Sequence, residues 1–102
     1  MPQVILSPEA RNDINRFADF LIENDAVEQA QKVFLVIAEA LRVLEKNPQT
    51  GREYPLDALP HARELTIRYG KSGYLALYTH EEAKDLVVVH AIRHQKEIGY
   101  KH

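Results

Sequence analysis

The chain contains no cysteine and no tryptophan, and its 102 residues include a single methionine. Without cysteine it can form neither a disulfide nor a thiolate nucleophile, and the usual cysteine-containing structural zinc sites are excluded. No apolar run approaches the roughly 20 residues that a membrane-spanning helix requires. The first residues also lack the basic region and long apolar stretch of a signal peptide. We therefore expect a soluble cytoplasmic protein without membrane contact.

A strong positive charge is also missing, because the net charge is −2. General nucleic-acid binders use a positive field to release counterions from phosphates, so we expect no direct binding to nucleic acid. The charge is unevenly distributed. Residues 1–60 hold 6 basic and 10 acidic side chains, whereas residues 61–102 hold 7 basic and 5 acidic ones and all five histidines. The second half is therefore the cationic half.

The length predicts a single domain spanning residues 1–102. After a short strand candidate at residues 3–6, Ser7 supplies an N-cap hydroxyl and Pro8 suits the first helical position. Apolar residues then recur at spacings of three and four, which predicts a first helix lying on the core. The stripe consists of Ala10, Ile14, Phe17, Ala18, Leu21 and Ile22.

A second helix is predicted after residues 24–25, and its apolar surface is wider than the roughly 100° that one packing face requires. It is expected to contact both the sheet and the first helix, which gives a helical hairpin. Proline disfavours helical geometry in the preceding residue, so the helix should end at Asn47 and Pro48. Its two stripes are Val27, Ala30, Phe34, Ile37, Leu41 and Leu44, and Val33, Val36, Ala40 and Val43.

In the second half of the chain, apolar residues recur at every second position instead of every third or fourth. Residues 52–61 are predicted to be irregular, strands follow at residues 64–68 and 74–79, and residues 86–93 (LVVVHAIR) read as a strand buried on both faces. The predicted fold class is α+β, a two-layer fold with an antiparallel sheet packed against an N-terminal helical hairpin. The predicted order is β-α-α-β-β-β with a short C-terminal helix. The helices are expected to pack on Leu65, Ile67, Leu75, Leu77, Val87 and Val89.

Four segments in this order resemble the ParE/RelE toxin superfamily of bacterial type II toxin–antitoxin systems. They are residues 4–10 (VILSPEA), 44–52 (LEKNPQTGR), 63–65 (REL) and 91–97 (AIRHQKE). The last segment is the most specific, because a histidine and a glutamine after a valine-rich strand resemble the ParE, or plasmid-stabilisation, branch. The resemblance implies a toxin that inhibits DNA gyrase, blocks replication and is neutralised by a cognate antitoxin. The RelE branch instead implies a ribosome-dependent mRNA endoribonuclease.

Metal-free RNA cleavage requires a general base, a general acid and cations that stabilise a charged phosphorane. Suitable residue types lie near the ends of the predicted strands: Arg63, Arg68, Arg93, His94, Lys96 and Tyr100. An alternative interpretation makes the two strand arginines solvated charges, Tyr100 a cover over apolar surface and His94 a cap of the tail helix. A third makes the chain a non-toxic module that binds an antitoxin and acts as its co-repressor.

The slight acidity favours a protein target over a ribosomal one, since a nuclease working among RNA phosphates should gain from a basic surface. The gyrase hypothesis needs no catalytic group and no cofactor. Its target-binding patch would include Arg93, His94, Lys96 and Tyr100. His90 and His94 straddle a strand end without a recognised zinc arrangement, so no metal site is predicted. His90 is expected to be a hydrogen-bonded core residue or one that faces a helix end.

The resemblance also implies an antitoxin that is partly disordered and folds on the toxin by docking a helix or adding a strand. The exposed side of the helical hairpin is the expected groove, and an uncovered patch there would also suit a homodimer. Candidate antitoxin contacts, each of which is alternatively an ordinary core residue, are Phe17, Leu21, Val33, Val36 and Val43.

Overall fold

A computed structural model describes residues 1–97, 99 and 100 of the chain. Five strands form one sheet in the order β1-β5-β4-β3-β2. Their bounds are β1 Gln3–Leu6, β2 Arg52–Glu53, β3 Arg63–Tyr69, β4 Ser72–Glu81 and β5 Leu86–His94. With two main helices on one side of this sheet, the predicted α+β class is confirmed.

The sheet is mixed rather than fully antiparallel. β1 runs parallel to β5, with Gln3 opposite Leu86 and Leu6 opposite Val89, whereas the other neighbouring strands are antiparallel. A parallel pair requires a long crossover connection. Here the connection from β1 to β5 contains both helices and the other three strands, so the pairing could not be deduced from the neighbouring sequence.

The first helix, α1, spans Pro8–Glu23 and begins as the sequence predicts. The Ser7 hydroxyl accepts a hydrogen bond from the Ala10 N–H at 3.1 Å and donates one to the His90 carbonyl at 2.9 Å. Ser7 therefore caps the helix and also ties its first turn to β5. The helix ends before Asp25, which adopts a left-handed conformation with φ of 60°.

The predicted second helix is divided in two. The helix α2 spans Val27–Leu41 and a single turn, α3, spans Val43–Lys46. The backbone tightens at the break, because the N–H of Arg42 donates to the Glu39 carbonyl and the N–H of Glu45 donates to the Arg42 carbonyl, each three residues back. The helical segment still ends before Asn47 and Pro48, as predicted.

The core lies between the helices and one face of the sheet. Side chains alternate between the two faces of a strand, and the residues that pack with the helices include Leu65, Ile67, Tyr74, Ala76, Tyr78, Val87, Val89 and Ile92. We call this the helix face and its reverse the open face. Leu75 and Leu77 are buried as well, but the alternation places them on the open face rather than against the helices.

Two segments differ from their predictions. Within the region predicted to be irregular, Arg52 and Glu53 pair with Glu64 and Arg63 as the short edge strand β2. After β5, residues 95–97 form a turn and residues 99–100 are not helical, so the predicted C-terminal helix is absent from the described tail.

The physical reason is competition for backbone groups. The N–H of Gln95 donates to the Gly73 carbonyl, the Glu97 carboxylate accepts from the His94 N–H, and Gly99 has a φ of 74°. Ile98 and residues 101–102, the rest of that predicted helix, lie outside the described residues. Within the described ranges, no helix is long and apolar enough to cross a membrane.

Candidate functional site

The strand register separates two residues that are adjacent in the sequence. Arg93 lies opposite Leu75, and His94 lies opposite Tyr74. Because Tyr74 belongs to the core under the helices, His94 is on the helix face and Arg93 is on the open face. The predicted patch is therefore divided between the two sides of the sheet.

Arg93 and Tyr100 meet on the open face at a carboxylate that the sequence analysis did not single out. The side chain of Glu64 has no solvent exposure. Its Oε2 accepts a hydrogen bond from the Tyr100 hydroxyl at 2.6 Å and lies 3.7 Å from Nη2 of Arg93. Its Oε1 accepts from Nε of Arg52 at 3.0 Å and also from Nη2 of the same guanidinium. We call Glu64, Arg52, Arg93 and Tyr100 the Glu64 cluster.

Two aromatic rings lie next to the arginines of the cluster. The guanidinium of Arg93 lies 5.3 Å from the centre of the Tyr100 ring, and that of Arg52 lies 5.6 Å from the centre of the Tyr54 ring. The two tyrosine rings contact each other edge to face with 6.2 Å between centres. Both guanidiniums thus combine a cation–π contact with an ion pair to Glu64.

The electrostatics of the cluster keep Tyr100 protonated. Burial raises the pKa of its hydroxyl well above the usual range, and the hydrogen bond to Glu64 raises it further. The hydrogen bond with Glu64 also raises the pKa of Arg52. A tyrosine that keeps its proton and donates a hydrogen bond to a buried carboxylate is not a general base near neutral pH.

His94 lies in a different environment, at the end of a groove next to α1. Its Nε2 is 3.2 Å from the Ser72 hydroxyl, and its Nδ1 accepts a hydrogen bond from the Lys96 N–H at 3.1 Å. The acceptor role of Nδ1 places the proton of a neutral ring on Nε2, facing Ser72. The groove has a volume of about 570 Å³ and is largely apolar, with Phe17, Phe20, Leu21 and Tyr74 among its lining residues.

The two other arginine candidates have separate positions. Nη1 of Arg63 donates to the Gly51 carbonyl at 2.8 Å, which ties the loop before β2 to the start of β3. Arg68 is exposed near the end of β3, on the same face as Glu64. Among the six nuclease candidates, the structure therefore brings the side chains of Arg93 and Tyr100 together on the open face. Separately, it joins the backbone N–H of Lys96, which is exposed in the turn after β5, to the His94 ring.

The sequence contained one weak signal for Glu64. It is the only acidic residue in β3, a strand that also carries Arg63 and Arg68. The alternation of polar and apolar residues in β3 marked Glu64 only as one of several polar positions. It is buried because the side chains of Arg93 and Tyr100 cover it, and Tyr100 is 36 residues away in the sequence. Arg52 was likewise assigned to an irregular segment, although it pairs with Glu64 in the sheet.

The five apolar candidates for partner binding differ in exposure. Phe17 and Val33 are core residues, at 6% and 1% exposure. A partner cannot contact Val33 without rearrangement of the core, whereas the edge of Phe17 lines the groove next to α1. Leu21 and Val36 are partly buried at the edge of that core. Val43 is 48% exposed.

Two other apolar side chains of the hairpin are more exposed than all five candidates. Phe20 is 63% exposed and Leu35 is 65% exposed. Leu35 and Val36 border a groove of about 640 Å³ between α2 and residues 66–69 of β3. Within the described chain, β2 pairs only with Arg63 and Glu64, so the outer edge of β3 beyond Glu64 has no neighbouring strand. This edge is open to an added strand.

His90 is hydrogen-bonded, as the sequence predicts, but it is only partly buried and does not belong to the core. Its Nε2 is 2.8 Å from the Thr79 hydroxyl, and burial lowers the pKa of the imidazole. Among residues 1–97, 99 and 100, no three histidine, aspartate or glutamate side chains are grouped in a way that could hold a metal ion.

A family model described as the ParE toxin of the type II toxin–antitoxin system parDE matches residues 4–99. No curated protein sequence gives a significant match. Among solved structures, a chain of the chromosomal ParDE toxin–antitoxin system from P. aeruginosa is similar in fold, with a TM-score of 0.74 and 19% identity. The match covers 92% of this chain and 96% of that one.

Two RelBE complexes are similar as well. The RelBE2 toxin–antitoxin complex from Mycobacterium tuberculosis matches with a TM-score of 0.63 and 20% identity, over 93% of this chain and 100% of that chain. The intact RelBE complex from E. coli matches with a TM-score of 0.60 and 15% identity, over 95% and 100%. At these identities the structural matches establish the shared fold.

Proposed function

Because this chain belongs to the ParE toxin family of type II toxin–antitoxin systems, we propose that it inhibits DNA gyrase by binding and that a cognate antitoxin neutralises it. The site of action would be the cytoplasm, where gyrase works. The gyrase target follows from the resemblance of the residues 91–97 segment to the ParE branch.

The division of the candidate residues between two sheet faces is the observation that carries the proposal. A ribonuclease needs its base, acid and cations around one phosphate. In this chain the Tyr100 hydroxyl donates a hydrogen bond to Glu64, and Arg93 is paired with the same carboxylate. His94, the remaining proton-transfer candidate, lies on the other face. This arrangement supports inhibition by contact rather than by cleavage.

The proposed gyrase contact is centred on the tail end of the sheet. Lys96 is exposed there and His94 lies beside it. From the open face, Arg93 donates to the Glu97 carbonyl of the turn and lies over the Tyr100 ring. The N–H of Lys96 donates to the His94 ring, so the two residues form one small surface. Arg93 is only 13% exposed and would act mainly by positioning this segment.

A charge reversal tests this patch. In a gyrase supercoiling assay, Lys96→Glu should weaken inhibition by about tenfold or more, because an exposed charge in a contact is replaced by its opposite. Lys84→Glu is the matched control, since Lys84 is equally a surface lysine but lies in the short turn before β5, at the other end of that strand. Equal inhibition by the two variants would remove the patch from the proposal.

We propose that the antitoxin covers the groove between α2 and the free edge of β3. Leu35, Val36 and Val43 would supply apolar contacts, and the unpaired backbone of β3 would accept an added strand. Leu35→Asp should raise the dissociation constant for the antitoxin by about tenfold or more, since it places a charge in an apolar contact. Glu28→Lys, an exposed change elsewhere on α2, is the control.

The fold shared with the RelBE complexes favours one second candidate, a ribosome-dependent endoribonuclease. It predicts that substituting Arg93, His94 or Tyr100 abolishes mRNA cleavage while folding and antitoxin binding persist. A non-toxic co-repressor would instead leave growth unaffected when the chain is expressed alone. Growth assays combined with the gyrase and ribosome assays separate the three functions.

A further inference from the structure

We infer that Glu64 determines target specificity, by holding the guanidiniums of Arg52 and Arg93 in ion pairs and so withholding them from phosphate groups. The inference rests on the proposed function, because it explains how a toxin that acts on a protein can carry two arginines on the open face of its sheet without binding nucleic acid. It assigns a role to a residue that neither cleaves nor contacts the proposed target.

Burial of the carboxylate makes these ion pairs persistent. The Glu64 side chain has no solvent exposure, and both of its oxygens face positive or hydrogen-bonding partners. Oε1 of this buried carboxylate accepts two hydrogen bonds from Arg52, so Arg52 cannot turn towards a phosphate without taking both from that oxygen, which is unfavourable. Arg52 itself is 64% exposed, which means that only its pairing, and not burial, limits its access to a ligand.

Arg93 is restrained from several sides. Besides Glu64, its Nη1 donates to the Glu97 carbonyl at 3.0 Å, and its guanidinium stacks on Tyr100. Arg68 provides the contrast on the same face, because it is exposed and no ion pair to it is found among the described residues. The open face therefore carries three arginines, of which Glu64 engages two.

Neutralising Glu64 should convert this face into a phosphate-binding surface. Guanidiniums bind phosphate through two parallel hydrogen bonds, and each phosphate neutralised on a single strand adds about −0.7 to the salt slope of the affinity. The test is fluorescence anisotropy with a single-stranded RNA oligomer of mixed sequence, measured from low to physiological salt. Glu64→Gln should lower the dissociation constant at low salt by about tenfold and steepen the slope by about one phosphate contact.

Matched variants separate this role from a general gain of positive charge. Glu53→Gln removes the same charge from an exposed side chain one residue along β2 from Arg52, and should change the affinity by less than about threefold. Adding Arg93→Gln and Arg52→Gln to Glu64→Gln should return the affinity to the wild-type value. An equal response to Glu64→Gln and Glu53→Gln would overturn the inference.

Surface variants keep the test decisive if Glu64→Gln does not fold. In the otherwise unchanged protein, Arg52→Gln should leave the residual RNA affinity within about twofold, because that guanidinium is already engaged. Arg68→Gln should weaken it by more, since this charge is free to meet phosphate. If Arg52→Gln weakens binding as much as Arg68→Gln does, Glu64 does not withhold Arg52.

These measurements do not depend on gyrase. A chain that fails to inhibit gyrase but shows the expected Glu64→Gln response would contradict the proposed function and leave the role of Glu64 intact. A chain that inhibits gyrase but shows no response to Glu64→Gln would support the proposed function and overturn the role of Glu64.

Discussion

Asp13 supplies a hydrogen bond that the sheet cannot. Strand β1 ends at Leu6, and the N–H of Ile92 lies beyond its reach on β5. That N–H donates to Oδ2 of Asp13 at 2.8 Å, although Asp13 is only 1% exposed on a helix. The carboxylate also pairs with Arg16 at 3.3 Å, so its charge is compensated. Asp13 thus fastens α1 to β5.

Replacing Asp13 by alanine should therefore destabilise the protein. The Ile92 N–H would remain buried without its partner, which costs about 1–3 kcal/mol in the free energy of unfolding. Urea denaturation measures this change. Asp19→Ala, at an exposed position of the same helix, should stay within about 0.5 kcal/mol of the wild type. Equal losses for the two variants would show that Asp13 has no special structural role.

The raised pKa of Tyr100 predicts that the free energy of unfolding depends on pH in the alkaline range. Its pKa is raised in the folded protein by burial and by Glu64, whereas in the unfolded chain it should be near the ordinary value of about 10. The stabilisation is therefore complete below about pH 10 and is lost as pH rises from there towards the folded-state value. Comparing the unfolding free energies of wild type and Tyr100→Phe isolates this effect from the other tyrosines. The difference should be constant from pH 7 to about pH 9 and change only above about pH 10.

The lowered pKa of His90 predicts that the free energy of unfolding also depends on pH in the acid range. Burial lowers its pKa, so the folded state prefers the neutral ring, while the unfolded chain binds a proton near about pH 6.5. Its contribution to stability is thus present above about pH 6.5 and is lost as pH falls. NMR titration of the ring protons should give a midpoint lower in the folded protein than in urea. Coincident midpoints would contradict the assignment, and His90→Gln should remove this part of the pH dependence.

At the level of elements, Tyr78 joins the end of the helical segment to the sheet. Its hydroxyl donates to the Pro48 carbonyl at 2.8 Å and accepts from the Gly51 N–H at 2.8 Å. A β-carbon on Gly51 would lie 2.7 Å from the Tyr78 ring and 2.9 Å from the Glu64 carbonyl. Only glycine therefore fits where the loop approaches β4 and β3.

Gly51→Ala should lower the free energy of unfolding by about 1–3 kcal/mol through overpacking. Thermal or urea denaturation would measure the loss. Gly70→Asn is a suitable control, because Gly70 has a φ of 63° with open space around it, and asparagine tolerates that conformation. A Gly51→Ala variant as stable as the control would mean that the loop can move away from Tyr78.

The elements that could be predicted from sequence are those with local signals. Ser7 and Pro8 define the start of α1, and Asn47 with Pro48 ends the second helical segment, because caps and proline act on neighbouring residues. The parallel pairing of β1 has no such signal, since its partner is more than 80 residues away. A helix is predicted for the tail because, apart from Gly99, the tail sequence contains no residue that signals against a helix.

At the level of the whole molecule, the candidate site depends on register and on long-range contacts. The sequence identified Arg93, His94 and Tyr100 as the right residue types but treated them as one patch. The face that each residue occupies is set by its pairing with β4. Glu64 was missed because its burial depends on Tyr100, which reaches it across the open face. Composition could therefore favour a protein target, but it could not reveal how the arginines are neutralised.

The most direct measurement titrates the purified, antitoxin-free protein into a gyrase supercoiling reaction, with trapped cleaved DNA scored in parallel and ribosome-dependent mRNA cleavage assayed alongside. We predict that supercoiling is lost, or cleaved DNA accumulates, at near-stoichiometric protein while mRNA stays intact. Unaffected gyrase together with cut mRNA would contradict it and would make Arg93, His94 and Tyr100 catalytic candidates.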